Sequence, residues 1–360
     1  MAVVQMDSSK ECPERAPGLK VGVVGFGYAS ATFHAPLIRA TPGLCLAAVA
    51  SSAPDRVRQA VPEAEIHATP TAMYERPDID LVVIATPNDT HFPLAREALE
   101  AGKHVVVDKP FVLDAAQARE LTALAERKSL RLSVFHNRRW DGDFLTVRDL
   151  IAEGRLGRVV HFESHFDRYR PVVRTRWRES AAAGAGLWYD LGPHLLDQAL
   201  QLFGKPDAIW LDVAQQRDAA LADDWFHAVL KYGGMRAILH ASALTAQAAP
   251  RFTIHGTEGS YVKHGLDLQE AALLAGTVQG EGWADDPSEG LLTLRAGQGL
   301  IEARHPTCSG AYGRYYAEMR DAILLSRPVP VSAASACEVM DLIEAGTDSA
   351  RCGKQIVLRG

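Results

Sequence analysis

Residues 21–30, Val-Gly-Val-Val-Gly-Phe-Gly-Tyr-Ala-Ser, limit the possible folds more than any other stretch: an apolar run ends in a Gly-x-Gly turn with a small residue three places on. A run of this kind is suited to burial on both faces, as in a central parallel strand. Gly25 permits the sharp turn that must follow, and Gly27 lets a pyrophosphate approach the backbone closely. An anion held there faces the N-terminus of the next helix, so Gly25, Phe26, Gly27, Tyr28, Ala29 and Ser30 are candidate cofactor-binding residues. Taken alone the turn also fits an ordinary tight loop, and its surroundings have to decide.

Up to residue 137 those surroundings alternate between strand and helix. Short apolar runs at 20–24, 44–50, 79–85, 104–107 and 130–135 read as buried strands. Helices are predicted at 93–101, stopped by Gly102, and at 115–127, capped by Asp114. The alternation predicts an α/β Rossmann domain over residues 19–137, a doubly wound parallel sheet whose ligand lies at the carboxyl ends of the strands. Pro36 falls where the first helix should still be running, which predicts a helix that is short or kinked there.

Polar clusters follow the predicted strands on that ligand edge. After the second strand, where NAD enzymes usually carry an acid for the ribose 2′-hydroxyl, stand Ser51 and Ser52, with Arg56 and Arg58 just beyond. Hydroxyls and guanidinium without a repelling carboxylate suit a 2′-phosphate, so NADP is favoured over NAD. The competing reading is a plain loop and helix cap. Thr86, Pro87, Asn88 and His91 form a second cluster, and Asp108, Lys109 and Pro110 a third. Lys109 follows three valines, and Pro110 restricts its backbone to an extended form.

From residue 138 the pattern changes to one helix, at 143–153, followed by alternating strands. Residues 138–360 therefore predict an α+β domain for substrate binding and oligomerisation, with a large, open, mainly antiparallel sheet. The strand at 160–167 sets His161, Glu163, His165 and Asp167 on one face. A metal is disfavoured there, because one strand has room for about two ligands in a coordination sphere. Arg168, Arg170, Arg174, Arg176 and Arg178 crowd the next loop, fitting either an anionic substrate or cofactor phosphate, or a solvated loop with carboxylate partners. Trp177 in that loop is placed to cover a flat ligand. Asp190 and His194 stand four apart at the start of a predicted helix that ends at Gly204, with Asp197 one turn further. A carboxylate beside an imidazole makes an acid/base pair and predicts a raised histidine pKa; a helix cap with a surface histidine is the bland alternative.

The net charge of −6 argues against nucleic acid or an anionic membrane as partner. Five scattered cysteines without a Cys-x-x-Cys pair read as free thiols in a reducing compartment. Residues 1–18 read as a loose tail rather than a signal peptide, and no apolar stretch approaches membrane-spanning length, so a cytoplasmic protein is expected.

Taken together, Gly25-x-Gly27, Thr86-Pro87-Asn88-x-x-His91, Lys109-Pro110 and Asp190-x-x-x-His194 resemble the glucose-fructose oxidoreductase/inositol dehydrogenase family, in the order found there. The likeness covers nearly all of the chain after residue 18, and residues 33–38, 135–141 and 163–168 look like the bacterial scyllo-inositol dehydrogenase subgroup. It implies a catalytic set of Lys109, Asp190 and His194, with His194 as base and Lys109 stabilising alkoxide charge during hydride transfer between nicotinamide and a cyclitol or sugar. His136, Arg138 and Tyr169 join these three as candidate substrate contacts, and Asn137 and Trp177 join the candidate cofactor contacts. Another polyol, aldose or keto-sugar, or a cofactor-binding regulator without turnover, are the alternatives. A homodimer or homotetramer through the C-terminal sheet is implied as well. Asp108 stands where the family usually has Glu, and Ser30 where it has Gly or Ala.

Overall fold

The computed structural model describes residues 18–247, 249–277, 280 and 282–358. The predicted tail up to residue 17, with Cys12, lies outside the described residues. The first half contains β1 (Leu19–Val24), α1 (Ala35–Ala40), β2 (Leu44–Ala50), α2 (Pro54–Ala60), β3 (Glu65–His67) and α3 (Pro70–Tyr74). It continues with β4 (Leu81–Ile84), α4 (His91–Glu100), β5 (His104–Val107), α5 (Ala115–Arg127) and β6 (Leu132–Val134). Its six strands are all parallel, in the order β3-β2-β1-β4-β5-β6, so the order reverses beside β1, where a doubly wound sheet opens its ligand crevice. β4 is buried throughout and β5 nearly so, which is why apolar runs without alternation marked them. Asp114 caps α5 as predicted, its carboxylate accepting the Gln117 N–H at 2.9 Å.

The segment after β1 is irregular where Pro36 predicts a short or kinked helix. It stays helical from Tyr28 to Ala40, passing through one widened π-type turn at Ser30–His34 in which the Ala35 N–H reaches back to the Ser30 carbonyl. Pro36 stands one residue beyond this turn; having no N–H to give, it is accommodated by widening rather than by ending the helix.

The second half contains α6 (Gly142–Ala152), β7 (Val159–His165), α7 (Leu187–Phe203), β8 (Ala208–Ala214), β9 (Trp225–Tyr232) and β10 (Met235–Ser242). β11 (Phe252–Gly256), β12 (Gly259–Lys263), α8 (Gln269–Leu274), β13 (Gly290–Ala296) and β14 (Gly299–His305) follow, then α9 (Gly313–Leu324), α10 (Ala333–Cys352) and β15 (Ile356–Val357). Nine strands form one sheet in the order β14-β13-β12-β11-β7-β10-β9-β8-β15. Every pairing is antiparallel except β7 with β10, at the centre. Phe162 of β7 and Phe226 of β9 are fully buried and meet Phe203 and Trp188 of α7, at ring-centroid distances of 5.3 and 5.2 Å, so α7 covers one sheet face. α10 packs on α5, α7 and β8 and thereby joins the two halves. No helix among the described residues is long and apolar enough to cross a membrane.

Candidate active site

The Gly-x-Gly turn is shaped by steric exclusion. Gly25 has φ +84°, and a Cβ there would lie 2.7 Å from the Ala85 carbonyl oxygen, so no other residue fits without displacing β4. A Cβ on Gly27 would meet nothing within 4 Å, which leaves the approach to its backbone open. Ser30 is fully buried, and its hydroxyl donates to the Gly25 carbonyl at 2.7 Å. The departure from Gly or Ala is thus a brace that ties the turn to the helix it feeds.

An open groove of about 520 Å³ runs over this turn, within the size range of cofactor sites. Gly25, Phe26, Gly27, Tyr28 and Ala29 line it, together with Ser51, Ser52, Thr86, Pro87, Asp108 and Trp177. A turn that excludes side chains, an approachable backbone and a groove of this size fit a dinucleotide. Other predicted cofactor residues stand behind the wall. Asn88 donates from Nδ2 to the Gly184 carbonyl at 3.1 Å, and His91 lies buried between the carbonyls of Pro110 and Thr86, at 2.9 and 3.0 Å. His91 therefore braces the two loops that bear Thr86 and Lys109. Arg56 sits exposed on α2 and does not line the groove, while Asn137 is buried in the turn Asn137–Trp140. The Ser51 Oγ accepts the Ala53 N–H at 3.1 Å, so that residue serves the loop as well as facing the groove.

Lys109 emerges from the end of β5 and meets Asp190 in the first turn of α7. Its Nζ donates to the Asp190 Oδ1 at 2.7 Å and to the Asp190 carbonyl at 2.5 Å. Burial lowers the Lys109 pKa against the pull of that carboxylate. Burial likewise opposes charge on Asp190, yet Lys109 and Arg178 hold its carboxyl well below the ordinary range. Arg178 reaches Asp190 Oδ1 at 3.3 Å and stacks over Trp177 with its Cζ 5.0 Å from the ring centroid, linking this pair to the groove wall.

The predicted Asp190–His194 pair does not form. α7 begins at Leu187, earlier than expected, because Gly186 takes φ +92° and Asp223 receives the Leu187 and Trp188 N–H groups, through its backbone oxygen at 2.9 Å and Oδ2 at 2.7 Å. Asp190 turns to Lys109 instead, and His194 is pushed well below its usual pKa, by burial first and then by Lys109 and Arg138. The predicted upward shift is reversed: burial disfavours the charged form of His194, whose Nδ1 has no hydrogen-bond partner among the described residues. Asp197 does not orient it either, since both of its oxygens are held by Arg139, at 2.9 and 2.6 Å. His136, buried just after β6, also lacks partners at both ring nitrogens among the described residues, and burial pushes its pKa down to about 4.

The remaining candidates divide. Arg138 spends its charge internally, on Asp141 at 3.1 Å and on Glu270 at 2.9 Å. Glu270, which no sequence pattern singled out, also accepts the Tyr28 hydroxyl at 2.8 Å and so ties the glycine turn to the second half of the chain. Tyr169 is 61% exposed. In the arginine loop, Arg176 is paired with Glu179 at 2.6 Å, and Arg217, from the segment between β8 and β9, reaches the same carboxylate at 3.1 Å. Arg168 and Arg170 have no carboxylate within ion-pair distance among the described residues, and both line a pocket that also contains Arg178 and Asp190. Burial and the neighbouring Arg170 and Arg138 push the Arg168 pKa down to about 10.

Comparison with known proteins identifies both halves of the chain. The family model described as the NAD-binding Rossmann fold of an oxidoreductase family matches residues 19–136. Its companion, the C-terminal alpha/beta domain of the same family, matches residues 148–358. The uncharacterized oxidoreductase YdgJ of Escherichia coli K12 is 53% identical over 334 residues, covering 92% of this chain and 96% of its own. The scyllo-inositol 2-dehydrogenase (NADP(+)) IolW of Bacillus subtilis is 36% identical over 94% of this chain and 96% of its own. The structure of the oxidoreductase YPO2259 from Yersinia pestis superposes with a TM-score of 0.92 at 51% identity, over 96% of this chain and 98% of that one. The chain belongs to the glucose-fructose oxidoreductase/inositol dehydrogenase (GFO/IDH/MocA) family, and is a dehydrogenase or reductase that uses a nicotinamide cofactor.

Proposed function

We propose that the protein is an NADP-dependent enzyme that oxidises or forms a CH–OH group on a cyclitol or sugar, with scyllo-inositol and its ketone as the first candidate pair. The observation that carries this reading is the buried Lys109–Asp190 ion pair beside neutral, unpartnered imidazoles. The bound nicotinamide supplies the hydride acceptor, or the donor in the reverse direction. The hydroxyl proton then needs a base, and an uncharged His194 can take it, whereas an imidazolium could not. Lys109, kept cationic by Asp190, donates to the same substrate oxygen and stabilises its developing negative charge. Asp190 is thus a positioning residue for Lys109 rather than for His194.

NADP is favoured because Ser51 and Ser52 face the groove where an acid would repel a 2′-phosphate. Scyllo-inositol is favoured by the name of the Bacillus subtilis relative. A second reading, a polyol or sugar bearing an acid group, is supported by Arg168 and Arg170, which lack carboxylate partners in the pocket they share with Asp190. The test is initial-rate absorbance with NADP or NAD against scyllo-inositol, myo-inositol, glucose, xylose and a sugar acid. Fastest turnover with NADP and scyllo-inositol is expected. Preference for NAD removes the Ser51 reading, and activity confined to the sugar acid moves the substrate to the second reading.

A further inference from the structure

The face of the nine-stranded sheet turned away from α7 carries a cluster that hydride transfer does not use. Register builds it. His165 of β7 lies opposite His240 of β10, and His240 lies opposite His227 of β9, so three histidines form one row across three neighbouring strands. Asp167 stands two residues beyond His165 and therefore on the same face. The limit of about two ligands per strand, which set a metal aside from sequence, does not apply once a third comes from the adjacent strand.

We propose that His165, Asp167 and His240 bind a divalent transition ion of the zinc class. One ligand atom from each of the three lies within 4.8 Å of the others. Asp167 Oδ2 is 3.6 Å from His165 Nδ1, and Asp167 Oδ1 is 3.6 Å from His240 Nε2. These separations are too long for hydrogen bonds. Each is close to the ~3.4 Å expected between two ligand atoms that share a tetrahedral ion at ordinary zinc bond lengths, the two histidines facing different oxygens of the one carboxylate. His165 Nδ1 and Asp167 Oδ1 are buried without any hydrogen-bond partner among the described residues. The other nitrogen of His165, Nε2, is 3.2 Å from Glu163 Oε2, and donation there leaves the Nδ1 lone pair directed at Asp167. A carboxylate behind a ligating imidazole is the arrangement that fixes its tautomer and ring orientation. Two imidazoles and one carboxylate select zinc, cobalt or nickel over calcium or magnesium. The fourth position belongs to water, and the ion clamps β7 to β10, the one parallel junction of the sheet.

The test uses tag-free, full-length, chelator-treated protein titrated with Co²⁺, read by the visible d–d absorption of a tetrahedral site and by equilibrium dialysis. About one ion per chain is expected, displaced by Zn²⁺. Asp167→Asn and His240→Ala abolish the signal, Glu163→Gln weakens affinity about 10–100-fold, and His255→Ala, on the same face outside the cluster, leaves it unchanged. Absence of cobalt uptake by the unmodified protein overturns the proposal, and this outcome does not depend on how any variant folds. Equal uptake by the unmodified and His240→Ala proteins overturns it as well.

Discussion

The cofactor turn and the chamber around Lys109 are neighbours built by opposite means. The turn is made of backbone and excluded volume: a positive φ at Gly25, open space at Gly27 and one hydroxyl brace from Ser30. The chamber is made of buried charge and suppressed protonation, in Lys109, Asp190, His136 and His194. In the first, Gly25, Gly27 and Ser30 carry no group that titrates near neutral pH. The second keeps its character only while its histidines remain neutral.

The sharpest way to break that contrast is Lys109→Ala. We expect turnover to fall about 10²- to 10³-fold with cofactor affinity nearly unchanged, because the lost donor acts on developing alkoxide charge. Stopped-flow turnover combined with cofactor titration checks this, and equal turnover by the variant removes Lys109 from its role.

Next in size is pH. An unfolded chain protonates His136 near 6.5, whereas the folded chamber resists until about 4, so between these values the unfolded state binds more protons. Stability is full above 6.5 and falls as pH drops through this window, by about 3 kcal/mol for His136 alone. Denaturant midpoints measured from pH 7.5 down to 4.5 should show the slope, and His136→Gln should reduce it. An unchanged slope in that variant assigns the effect elsewhere.

The smallest effect is expected at the turn. Gly25→Ala should cost on the order of 1–2 kcal/mol from backbone strain, with further loss from the contact with the Ala85 carbonyl. It should raise the cofactor Kd more than it lowers kcat and leave the pH slope intact, as isothermal titration and the same denaturant series would show.

The contrast also explains what was legible in the sequence. Gly25, the buried run before it and the Asp114 cap act over a few residues, so local pattern sufficed for them and for the Rossmann sheet. Short or exposed elements gave no such pattern: β3 has only three residues, and β14 is an exposed hairpin arm. Lys109 and Asp190 are 81 residues apart, and only the family resemblance sets them together in one catalytic set. Even so, the partner was misassigned, because i to i+4 spacing on α7 suggested Asp190 with His194 while a lysine from β5 arrives first. Glu270, Asp223 and His240 carried no signal, since what they do depends wholly on what the fold sets beside them.

The widened turn at Ser30–His34 has a consequence for everything after it. A π-type turn spends one more residue than an α-turn, and each residue advances a helix by about 100°. It is therefore a phase correction: it rotates the downstream stripe so that Leu37 and Ile38 enter the core completely while Tyr28, upstream, stays on the groove. Pro36 is what locks the dial, because a helix relaxed to regular pitch would turn that stripe away from the sheet without changing a single apolar residue.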